Sequence, residues 1–291
     1  MVDSIRFSIV VPTRNRPEPL AHCLNALAQL NYSRDRFEII VVDDGSWTAL
    51  GEFQCAMPIT LLRQAHAGPA AARNAGAAHA CGTFLAFTDD DCAPDPNWLR
   101  ALEARLDAMP GCAVGGKTVN GLTDNISATA SQLLIDYLYA YYNRDPNRAA
   151  FVASNNLAAP RARFIEMGGF DASFPRAAAE DRDFCDRWLA RGNALVYAAD
   201  AVVCHAHALS LKSFVRQHWS YGRGARHFRR ARARRGHAHL SIEPLRFYRD
   251  LVLHPFARRT PRAGLLSFLL LLTQVANAAG FFREAWNVDR K

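Results

Sequence analysis

Apolar residues in the first part of the chain form short unbroken runs, each followed by polar or turn-forming residues. Runs of this kind predict buried strands because they are continuous and rich in β-branched residues. They cover residues 7–11, 37–42, 59–62 and 84–87. Pro12 is predicted to end the first strand, and the polar turn of residues 43–46 to end the second.

Between these runs, apolar residues recur at the three- and four-residue spacing of amphipathic helices. The spacing predicts helices over residues 20–30, 69–80, 98–109, 180–191 and 211–235. Short strands are predicted over 195–197 and 201–204, and loops over 155–161 and 167–171; the aromatic-rich segment 124–148 matches neither pattern. Apolar strands that alternate with helices predict an α/β fold with a mostly parallel central sheet flanked by helices.

Acidic residues directly follow two of the predicted strands. Asp43 and Asp44 follow the second strand, and Asp89, Asp90 and Asp91 follow the fourth. Ligands of parallel sheets bind at the carboxyl ends of strands. Three adjacent carboxylates repel one another unless a cation neutralises them, and carboxylates suit hard ions such as Mg²⁺ and Mn²⁺. The alternatives are a solvated acidic turn that caps the next helix, and an Asx turn after the second strand.

Three other segments carry candidate chemistry. Arg73 lies on a helix that opens with Gly and Pro, where it could reach a phosphate or remain on the surface. Glu180 and Asp181 begin a helix, where they could stabilise its dipole or deprotonate an acceptor hydroxyl. His205 and His207 share one face of a strand, so both could point into a site or lie on the surface.

Positive charge is concentrated in one part of the chain. The 291 residues carry a net charge of +8, yet residues 1–209 hold 18 Lys and Arg against 23 Asp and Glu, whereas residues 210–262 hold 14 against 2. We therefore expect a main domain over 1–209 and a basic, apolar helical extension over 210–291. The basic block implies an anionic partner, either phospholipid, a phosphate-bearing acceptor or nucleic acid.

Residues 264–282 contain no charged residue, which meets the length criterion for a membrane span. Four polar residues make this a poor span: Ser267, Thr273, Gln274 and Asn277. The segment could instead lie on a membrane, or dock on the main domain or on a second copy in a homodimer. Each basic residue near an anionic leaflet contributes up to about 1 kcal/mol, so region 212–283 could attach the protein peripherally. The alternative is a solvated basic helix.

The cysteines point to a reducing compartment. Seven are present without a CxxC pair, and the first residues show no charged-then-apolar signal pattern. We therefore expect a cytoplasmic protein, at the inner face of the cell membrane if the basic region binds lipid. The cysteines are at positions 23, 55, 81, 92, 112, 185 and 204.

Taken together, these motifs resemble the family 2 glycosyltransferases, which have the GT-A type of Rossmann-like fold. The resemblance covers residues 5–225 and follows the family's order in five stretches: SIVVPTRNR, EIIVVDDGS, GPAAARNAGAAHACGTFLAFTDDDC, NNLAAPRARFIEMGGFDASF and EDRDFCDRWLARG. It implies an inverting, metal-dependent transfer of a sugar from a nucleotide-diphosphate sugar to an acceptor hydroxyl, in bacterial-type polysaccharide or glycolipid synthesis. A UDP-sugar is the first expectation, with GDP- and TDP-sugars as alternatives. The acceptor is expected to be a glycan or lipid-linked.

The resemblance assigns donor contacts to five residues. It places Pro12, Thr13 and Asp44 against the nucleoside, with Asp44 as the partner of the base. It places Arg73 near the diphosphate. Arg14 stands where the family often has an aromatic residue, so the donor contacts of this turn are expected to differ.

The resemblance also implies a metal site for Mn²⁺ or Mg²⁺. Asp89 and Asp91 correspond to the DxD pair, with Asp91 as the closer ligand, and Asp90 is expected on the donor side. His205 would complete the metal or phosphate shell, and His207 is a further candidate.

For catalysis, the resemblance makes Asp181 the base and Glu180 its support. Residues 217–219 only partly match the QxxRW motif of processive synthases, so long-chain processive synthesis is not expected. A non-catalytic protein that binds membrane or nucleic acid through its arginines is one alternative, although the ordered acidic motifs favour an enzyme without a nucleic-acid partner. A nucleotidyltransferase is another, but the turn after the first strand lacks the glycine of its usual basic loop.

Overall fold

A computed structural model describes residues 5–48, 50, 57–174, 178–237 and 242–288. Its strands are β1 Phe7–Thr13, β2 Phe37–Asp43, β3 Ile59–Arg63, β4 Phe84–Thr88, β5 Cys92–Pro94, β6 Ala113–Asn120, β7 Asn156–Pro160 and β8 Leu195–His205. Its α-helices are α1 Pro17–Leu27, α2 Pro69–His79, α3 Trp98–Ala108, α4 Ile126–Tyr142, α5 Arg161–Glu166, α6 Glu180–Ala190, α7 Leu211–Arg234, α8 Leu245–Ala257 and α9 Ala263–Val288.

The strands form one sheet in the order β3-β2-β1-β4-β7-β6-β8-β5. β1 pairs in parallel with β2 and β4, β2 with β3, and β6 with β8. β7 runs antiparallel to β4 and β6, and β5 runs antiparallel to β8. The predicted α/β fold with a mostly parallel sheet is therefore confirmed, with antiparallel strands inserted in its second half.

Both faces of the sheet are buried, as the unbroken apolar runs predict. Ile9 and Val11 of β1 belong to a core cluster that includes residues of α1 and α3. Val10, between them, points to the other face and belongs to a cluster that includes Phe184 and Trp188 of α6. The alternation along one strand thus joins the two helical layers through the sheet.

The predicted helices are all present, with ends displaced by at most three residues. The prediction that Pro12 ends the first strand is wrong, because β1 continues to Thr13 and pairs Pro12 with Val42. β4 pairs with β1 only as far as Val10. The edge of β1 toward β4 is therefore open at Pro12, where the absence of a backbone N–H removes no bond of the sheet.

The sequence pattern does not predict the short strand β5, and it gives no support for a strand at β6 or β7. The predicted loop 155–161 contains β7, whose residues occupy a central position between β4 and β6. β6 contains Gly115 and Gly116, which usually weaken a strand. A Cβ on Gly116 would lie 2.1 Å from the Ala201 carbonyl oxygen, so close packing against neighbouring chain requires glycine. Tertiary contacts override local preference in β6 and β7.

The two short strands predicted over 195–197 and 201–204 are one continuous strand, β8. Its pairing with β6 jumps from Gly116 opposite Ala198 to Lys117 opposite Val202. This irregularity falls at Asp200, where the apolar run is interrupted. A bulge therefore accommodates the break that the sequence pattern suggests.

The aromatic-rich segment that fits neither pattern contains α4, and the C-terminal helices α7, α8 and α9 pack against it. Leu133 of α4 packs in a cluster with Phe214 of α7 and residues of α9. The Tyr137 hydroxyl donates a hydrogen bond to the Phe247 carbonyl oxygen of α8 at 2.8 Å. The extension thus docks on the main body. Its separation at residue 209 as a domain of its own stays a prediction.

The basic C-terminal end of α7 is paired with acidic residues of α6. Arg235 lies 2.7 Å from Asp183 and 3.4 Å from Asp186, and Arg232 also pairs with Asp186. His237 lies 3.0 Å from the same Asp186 carboxylate. A share of the positive charge is therefore neutralised inside the protein.

Six cysteines are free within the described part of the chain, and Cys55 lies outside it. α9 is long and apolar enough to cross a membrane, but 39% of its most apolar 18-residue window is buried against the rest of the protein. Length and composition therefore do not decide its environment.

Candidate active site

Hydrogen bonds connect the polar ends of β1, β2 and β4. The Asp44 amide donates to the Thr13 carbonyl oxygen at 2.9 Å. The Thr13 hydroxyl donates to Asp90 Oδ2 at 2.7 Å. Pro12 lies beside Thr13 at the end of β1. The sheet thus brings three of the predicted nucleoside contacts to one edge, next to the aspartates that follow β4.

Asp44 is buried, and its carboxylate organises the loop that opens α2. It accepts hydrogen bonds from Gln64 Nε2 at 2.7 Å and from His66 Nδ1 and the amides of Ala67 and Gly68 at 2.8 Å. Burial raises the pKa of Asp44, but these donors outweigh it and lower the pKa below its ordinary value. Asp44 is therefore a fixed anion, and its contact with a nucleotide base stays a prediction.

Arg14 lies over the turn after β2 and contacts Gly45 and His66. Its Nε donates to the Gly45 carbonyl oxygen at 3.3 Å, and its Nη1 lies 3.3 Å from His66 Nε2. Gly45 has φ 77°, and a Cβ there would lie 2.8 Å from the His66 amide nitrogen. The glycine thus permits both the turn and the close approach of His66.

Arg16 is a site residue that the sequence analysis missed. Its Nη1 lies 2.7 Å from Asp90 Oδ1 and its Nη2 lies 2.7 Å from Asp91 Oδ2. Burial raises the pKa of Asp90 to about 6, although the Arg16 charge and the Thr13 hydrogen bond oppose the rise. A signal was present, because adjacent buried carboxylates require cations and Arg16 lies in the polar turn after β1.

Asp91, His205 and His207 form a cluster suited to a metal ion. His205 Nε2 lies 3.1 Å from Asp91 Oδ1, and His207 Nδ1 lies 2.9 Å from Asp91 Oδ2. One potential ligand atom from each residue lies within 4.8 Å of the others. Two imidazoles and a carboxylate are a donor set for Mn²⁺ or a similar divalent ion.

The charge of this cluster is set by its surroundings. Burial raises the pKa of Asp91, but hydrogen bonds from His205 and His207 and the Arg16 charge bring it well below the ordinary value. Burial lowers the pKa of His205, yet its hydrogen bond to Asp91 gives a net rise. Asp89 is not part of this cluster within the described residues.

Arg73 joins the aspartates to the start of α6. It is 3% exposed, and its Nη2 lies 2.5 Å from Asp89 Oδ1 while its Nη1 lies 3.4 Å from Glu180 Oε1. Burial lowers the pKa of Arg73, but the charges of Asp89 and Glu180 reverse this and raise it. The arginine therefore stays charged between two anions that lie 91 positions apart in the sequence.

Glu180 and Asp181 begin α6 next to this arginine. Burial and the Asp181 charge raise the pKa of Glu180, and burial of the Asp181 carboxyl group raises the pKa of that residue as well. The preceding Ala179 has φ 71°, a left-handed conformation that costs a residue with a Cβ about 1–3 kcal/mol. The loop thus holds two proton-accepting groups in a constrained position.

Helix α7 borders the same site. Gln217 Nε2 donates to the Tyr221 hydroxyl at 2.7 Å. Burial raises the pKa of Tyr221, with further contributions from the charges of Asp181, Glu180 and Asp89. A Cβ on Gly224 would lie 2.5 Å from the Ala178 carbonyl oxygen, so α7 packs closely on the loop before α6. The sequence pattern gave no reason to place α7 here beyond the partial motif at 217–219.

The structure thus links the predicted clusters through direct contacts. Thr13 connects Asp44 to Asp90, and Arg73 connects Asp89 to Glu180. The neighbouring Asp91 contacts both histidines. The acidic residues, the cluster of Asp91 with two histidines and the buried Arg73 thus lie at the carboxyl edge of the sheet. This is the edge at which α/β folds bind phosphorylated ligands.

Solved structures confirm the class of fold. A mannosyltransferase from Pyrobaculum calidifontis, in complex with GDP-Man and Mn²⁺, superposes with a TM-score of 0.67 at 19% identity, over 97% of this chain and 87% of that one. S. aureus TarS 1–349 in complex with UDP-GlcNAc gives 0.57 at 16% identity, over 95% and 89%. The fold is therefore that of the GT-A glycosyltransferases.

The sequence places the chain in a particular family of this class. The family model of glycosyl transferase family 2 matches residues 8–166, and the chain belongs to this family. The pre-mycofactocin glycosyltransferase of Mycobacterium tuberculosis is 28% identical over 227 residues, which are 75% of this chain and 46% of that protein. This chain therefore matches about half the length of that curated relative.

Proposed function

We propose that this protein is an inverting, metal-dependent glycosyltransferase that moves a sugar from a nucleotide-diphosphate sugar to an acceptor hydroxyl. The observation that carries the proposal is the pair of contacts made by Arg73, to Asp89 on one side and to Glu180 on the other. These contacts join the acidic turn after β4 to the loop that begins α6, which supports a metal site and a base in one cleft. A transferase of this kind requires both.

Asp91, His205 and His207 would hold the divalent ion, with Asp89 on the donor side. The mixed nitrogen and oxygen donors favour Mn²⁺ over Mg²⁺, which prefers oxygen ligands and keeps its waters. When bound, the ion neutralises the charge that grows on the departing nucleoside diphosphate. Arg73 lies beside Asp89 and adds a fixed positive charge on the same side.

Asp181 would accept the proton of the acceptor hydroxyl. The pKa of Asp181 is raised and is therefore closer to the pH at which the enzyme works. A general base is most effective when its pKa is near that pH. Glu180 is held by Arg73 and supports the loop. One base acting on a hydroxyl that attacks the anomeric carbon in line gives inversion in a single displacement.

Pro12, Thr13, Arg14 and Asp44 would contact the nucleoside. Their position at the ends of β1 and β2 supports this role. A UDP-sugar is the first candidate donor, with GDP- and TDP-sugars as alternatives. The two solved structures contain GDP-Man and UDP-GlcNAc, which supports a nucleotide sugar without selecting the base.

The acceptor would be a glycan or a lipid-linked glycan, in polysaccharide or glycolipid synthesis of bacterial type. We place the enzyme in the cytoplasm at the inner face of the cell membrane, with residues 1–209 as catalytic domain and 210–291 as helical extension. The long apolar helix α9 supports this location. No nucleic-acid partner is proposed, since part of the basic helix is paired with α6.

A screen of nucleotide sugars by thermal shift, with Mn²⁺ and with chelator, tests this function. We expect one nucleotide class to raise the Tm in Mn²⁺ and to lose its effect in chelator. Asp91→Ala should lose the metal-dependent part of the shift. A matched variant, Asp35→Asn, changes an exposed acidic residue and should keep the full response. A fully active Asp91→Ala enzyme would refute the assignment of the site.

A further inference from the structure

The exposed face of α9 is apolar along most of its length. The side chains of Leu265, Phe268, Leu271, Val275 and Phe282 are 47–69% exposed. They recur at spacings of three, four and seven residues, which places them on one side of the helix. Gly264, Ala278 and Ala279 extend the same exposed side. No Asp, Glu, Lys or Arg occurs between residues 263 and 282.

Two polar residues of α9, Ser267 and Thr273, are buried against the protein, whereas Gln274 and Asn277 are partly buried. Ser267 is 7% exposed and donates to the Val252 carbonyl oxygen at 2.6 Å. Thr273 is fully buried and donates to the Leu270 carbonyl oxygen at 2.6 Å. A helix on the surface of a water-soluble domain has the reverse arrangement, with its polar side outward. The exposed side of α9 is therefore suited to an apolar environment.

Apolar residues are also exposed on the helices that pack against α9. Between α7 and α9 lies an apolar groove of about 420 Å³, whose lining includes Val215, Trp219, Leu272 and Val275. On α8, Leu253 and Phe256 are about half exposed, at 49% and 54%. Apolar side chains exposed together on several neighbouring helices are typical of an interaction site.

Cations border this surface. Lys212 and Arg216 of α7 line the groove and are exposed. Arg258, Arg259 and Arg262 are exposed at the turn between α8 and α9, and Arg283 is exposed near the other end of α9. The acidic residues nearest to these arginines in the sequence are already paired, Asp250 with Arg249 and Glu284 with Arg223.

We infer that the outer faces of α7, α8 and α9 dock on an anionic lipid bilayer, with α9 lying in the plane of the interface. The apolar side chains enter the boundary between headgroups and acyl chains, and the bordering cations bind the phosphates. We call this surface, which consists of the five exposed apolar residues of α9 and the groove cations Lys212 and Arg216, the docking face.

The packing of α9 argues against a membrane span. Leu266 and Leu269 belong to a cluster with α4 and α7, and Leu270 belongs to one with α4 and α8. A spanning helix would have to leave these contacts and expose them to lipid together with Ser267 and Thr273. In-plane docking keeps the buried side against the protein.

The bordering charge favours lipid over a second copy of the chain. A two-fold dimer places the same surface on both sides of its interface. It would place the groove cations Lys212 and Arg216 of both copies within one interface, where like charges oppose association. An anionic bilayer supplies the opposite charge over the whole surface.

Docking at this face sets the position of the catalytic site relative to the membrane. Gly222 of α7 packs against the Asn277 backbone of α9, and Gly224 packs against the backbone of Ala178, two residues before Glu180. One helix therefore connects the docking face to the loop of the catalytic residues. This geometry suits an acceptor whose lipid part stays in the membrane.

Vesicle flotation of the full chain tests the inference. We expect flotation with phosphatidylcholine vesicles containing 30% phosphatidylglycerol, and weaker binding to pure phosphatidylcholine. Salt should weaken the binding without abolishing it, since the apolar contribution is not screened. Bound protein should be released by carbonate at pH 11, as peripheral proteins are.

Two variants separate the apolar and charged contributions. Phe268→Ser with Val275→Ser should reduce binding to both vesicle types at least about 10-fold. Lys212→Gln with Arg216→Gln should reduce binding to the anionic vesicles by about 10-fold and leave the neutral ones unchanged. The matched control is Leu61→Ser with Ile165→Ser, two residues of similar exposure on β3 and α5, and it should bind like wild type.

Three kinds of result would overturn the inference. The first concerns vesicle binding: a wild-type chain that does not float, or an apolar variant that binds like the control variant. The second is a carbonate-resistant protein, which would indicate a span. The third is a dimer that forms without vesicles and is lost in the apolar variant, which would assign the face to a second copy. The thermal shift with nucleotide sugar and Mn²⁺ is measured in parallel, so a failure of the proposed function is seen separately.

Discussion

His207 Nδ1 lies 2.9 Å from Asp91 Oδ2, although 116 positions separate the two residues in the chain. The antiparallel pairing of β5 with β8 sets this distance, because it places Cys92 opposite His205. The Ala206 amide donates to the Asp91 carbonyl oxygen at 2.8 Å and extends the same register. A three-residue strand thus aligns one carboxylate with two imidazoles.

Replacing His205 by Ala should weaken Mn²⁺ binding by about 10–100-fold, because one of the nitrogen donors is lost while Asp91 and His207 remain. The measurement is the signal of free Mn²⁺ in electron paramagnetic resonance titrations without nucleotide. The control is His79→Ala, because His79 is exposed and does not belong to the cluster. Equal affinity in wild type and His205→Ala would exclude the cluster as the metal site.

Replacing Asp181 by Asn should lower kcat by about 10²–10⁴-fold and leave donor binding near normal, because a general base acts on the acceptor proton. The raised pKa of Asp181 and Glu180 gives a pH dependence of defined sign. The carboxylate must be deprotonated to act, so kcat falls as pH decreases through the raised pKa, starting at higher pH than for an ordinary Asp.

The acidic limb of the kcat profile checks this assignment. It should disappear in Asp181→Asn. It should persist in the control Asp145→Asn, which changes an exposed aspartate outside the acidic clusters of the site. A wild-type kcat that stays constant down to pH 4 would show that no group of raised pKa acts as base.

His218 should make stability depend on pH. It is 1% exposed, packs on Phe214 and Tyr221, and neither ring nitrogen has a hydrogen-bond partner among the described residues. Burial lowers its pKa from 6.5 to about 4. Between these values the unfolded chain binds more protons, so stability is full above pH 6.5 and is lost as pH falls toward 4.

The loss from this one group is up to about 3 kcal/mol. Urea unfolding of wild type and His218→Leu at pH 7 and pH 4 measures it, since other titrating groups cancel in the difference. We expect the wild type to lose about 3 kcal/mol more than the variant. An identical loss in both proteins would show that His218 is accessible to protons in the folded state.

The contact between α7 and α9 should not tolerate a methyl group at Gly222. A Cβ there would lie 1.9 Å from the Asn277 carbonyl oxygen, and backbone must move to relieve it. Gly222→Ala should therefore cost about 1–3 kcal/mol in the free energy of unfolding. Gly264→Ala on α9 meets nothing within 4 Å and should stay within about 1 kcal/mol of wild type. Equal stability of the two variants would contradict the close packing.

Asp183 should be required for the junction of α6 and α7. It is fully buried, and Arg187 Nε and Arg235 Nη2 lie 2.6 and 2.7 Å from its carboxylate. Asp183→Asn removes the carboxylate partner of Arg187 and leaves Arg235 its longer pair with Asp186, at 3.4 Å. It should cost about 2–4 kcal/mol, since both arginines keep some access to solvent and are not left as fully buried charges.

The matched change is Asp200→Asn, which breaks an exposed pair with Arg105 and should cost less than about 1 kcal/mol. Chemical denaturation of both variants gives the comparison. Similar losses would mean that the buried network adds no more than a surface pair.

The sequence by itself determined much of the first half of the sheet. Continuous apolar runs identify β1 and β2 because strands buried on both faces leave no room for alternation. The acids that follow β2 and β4 indicate a shared edge because parallel strands end on the same side. Motif order also identifies the family, since each motif is local in the chain.

Only the tertiary structure decided the features that depend on distant partners. Gly116 occupies a strand because the Ala201 carbonyl oxygen leaves no space for a side chain, and Arg16 joins the site because Asp90 and Asp91 face the turn after β1. The residues of α9 that remain exposed are those that α4, α7 and α8 do not cover. A local pattern records which residues are apolar, but burial is set by what packs against them.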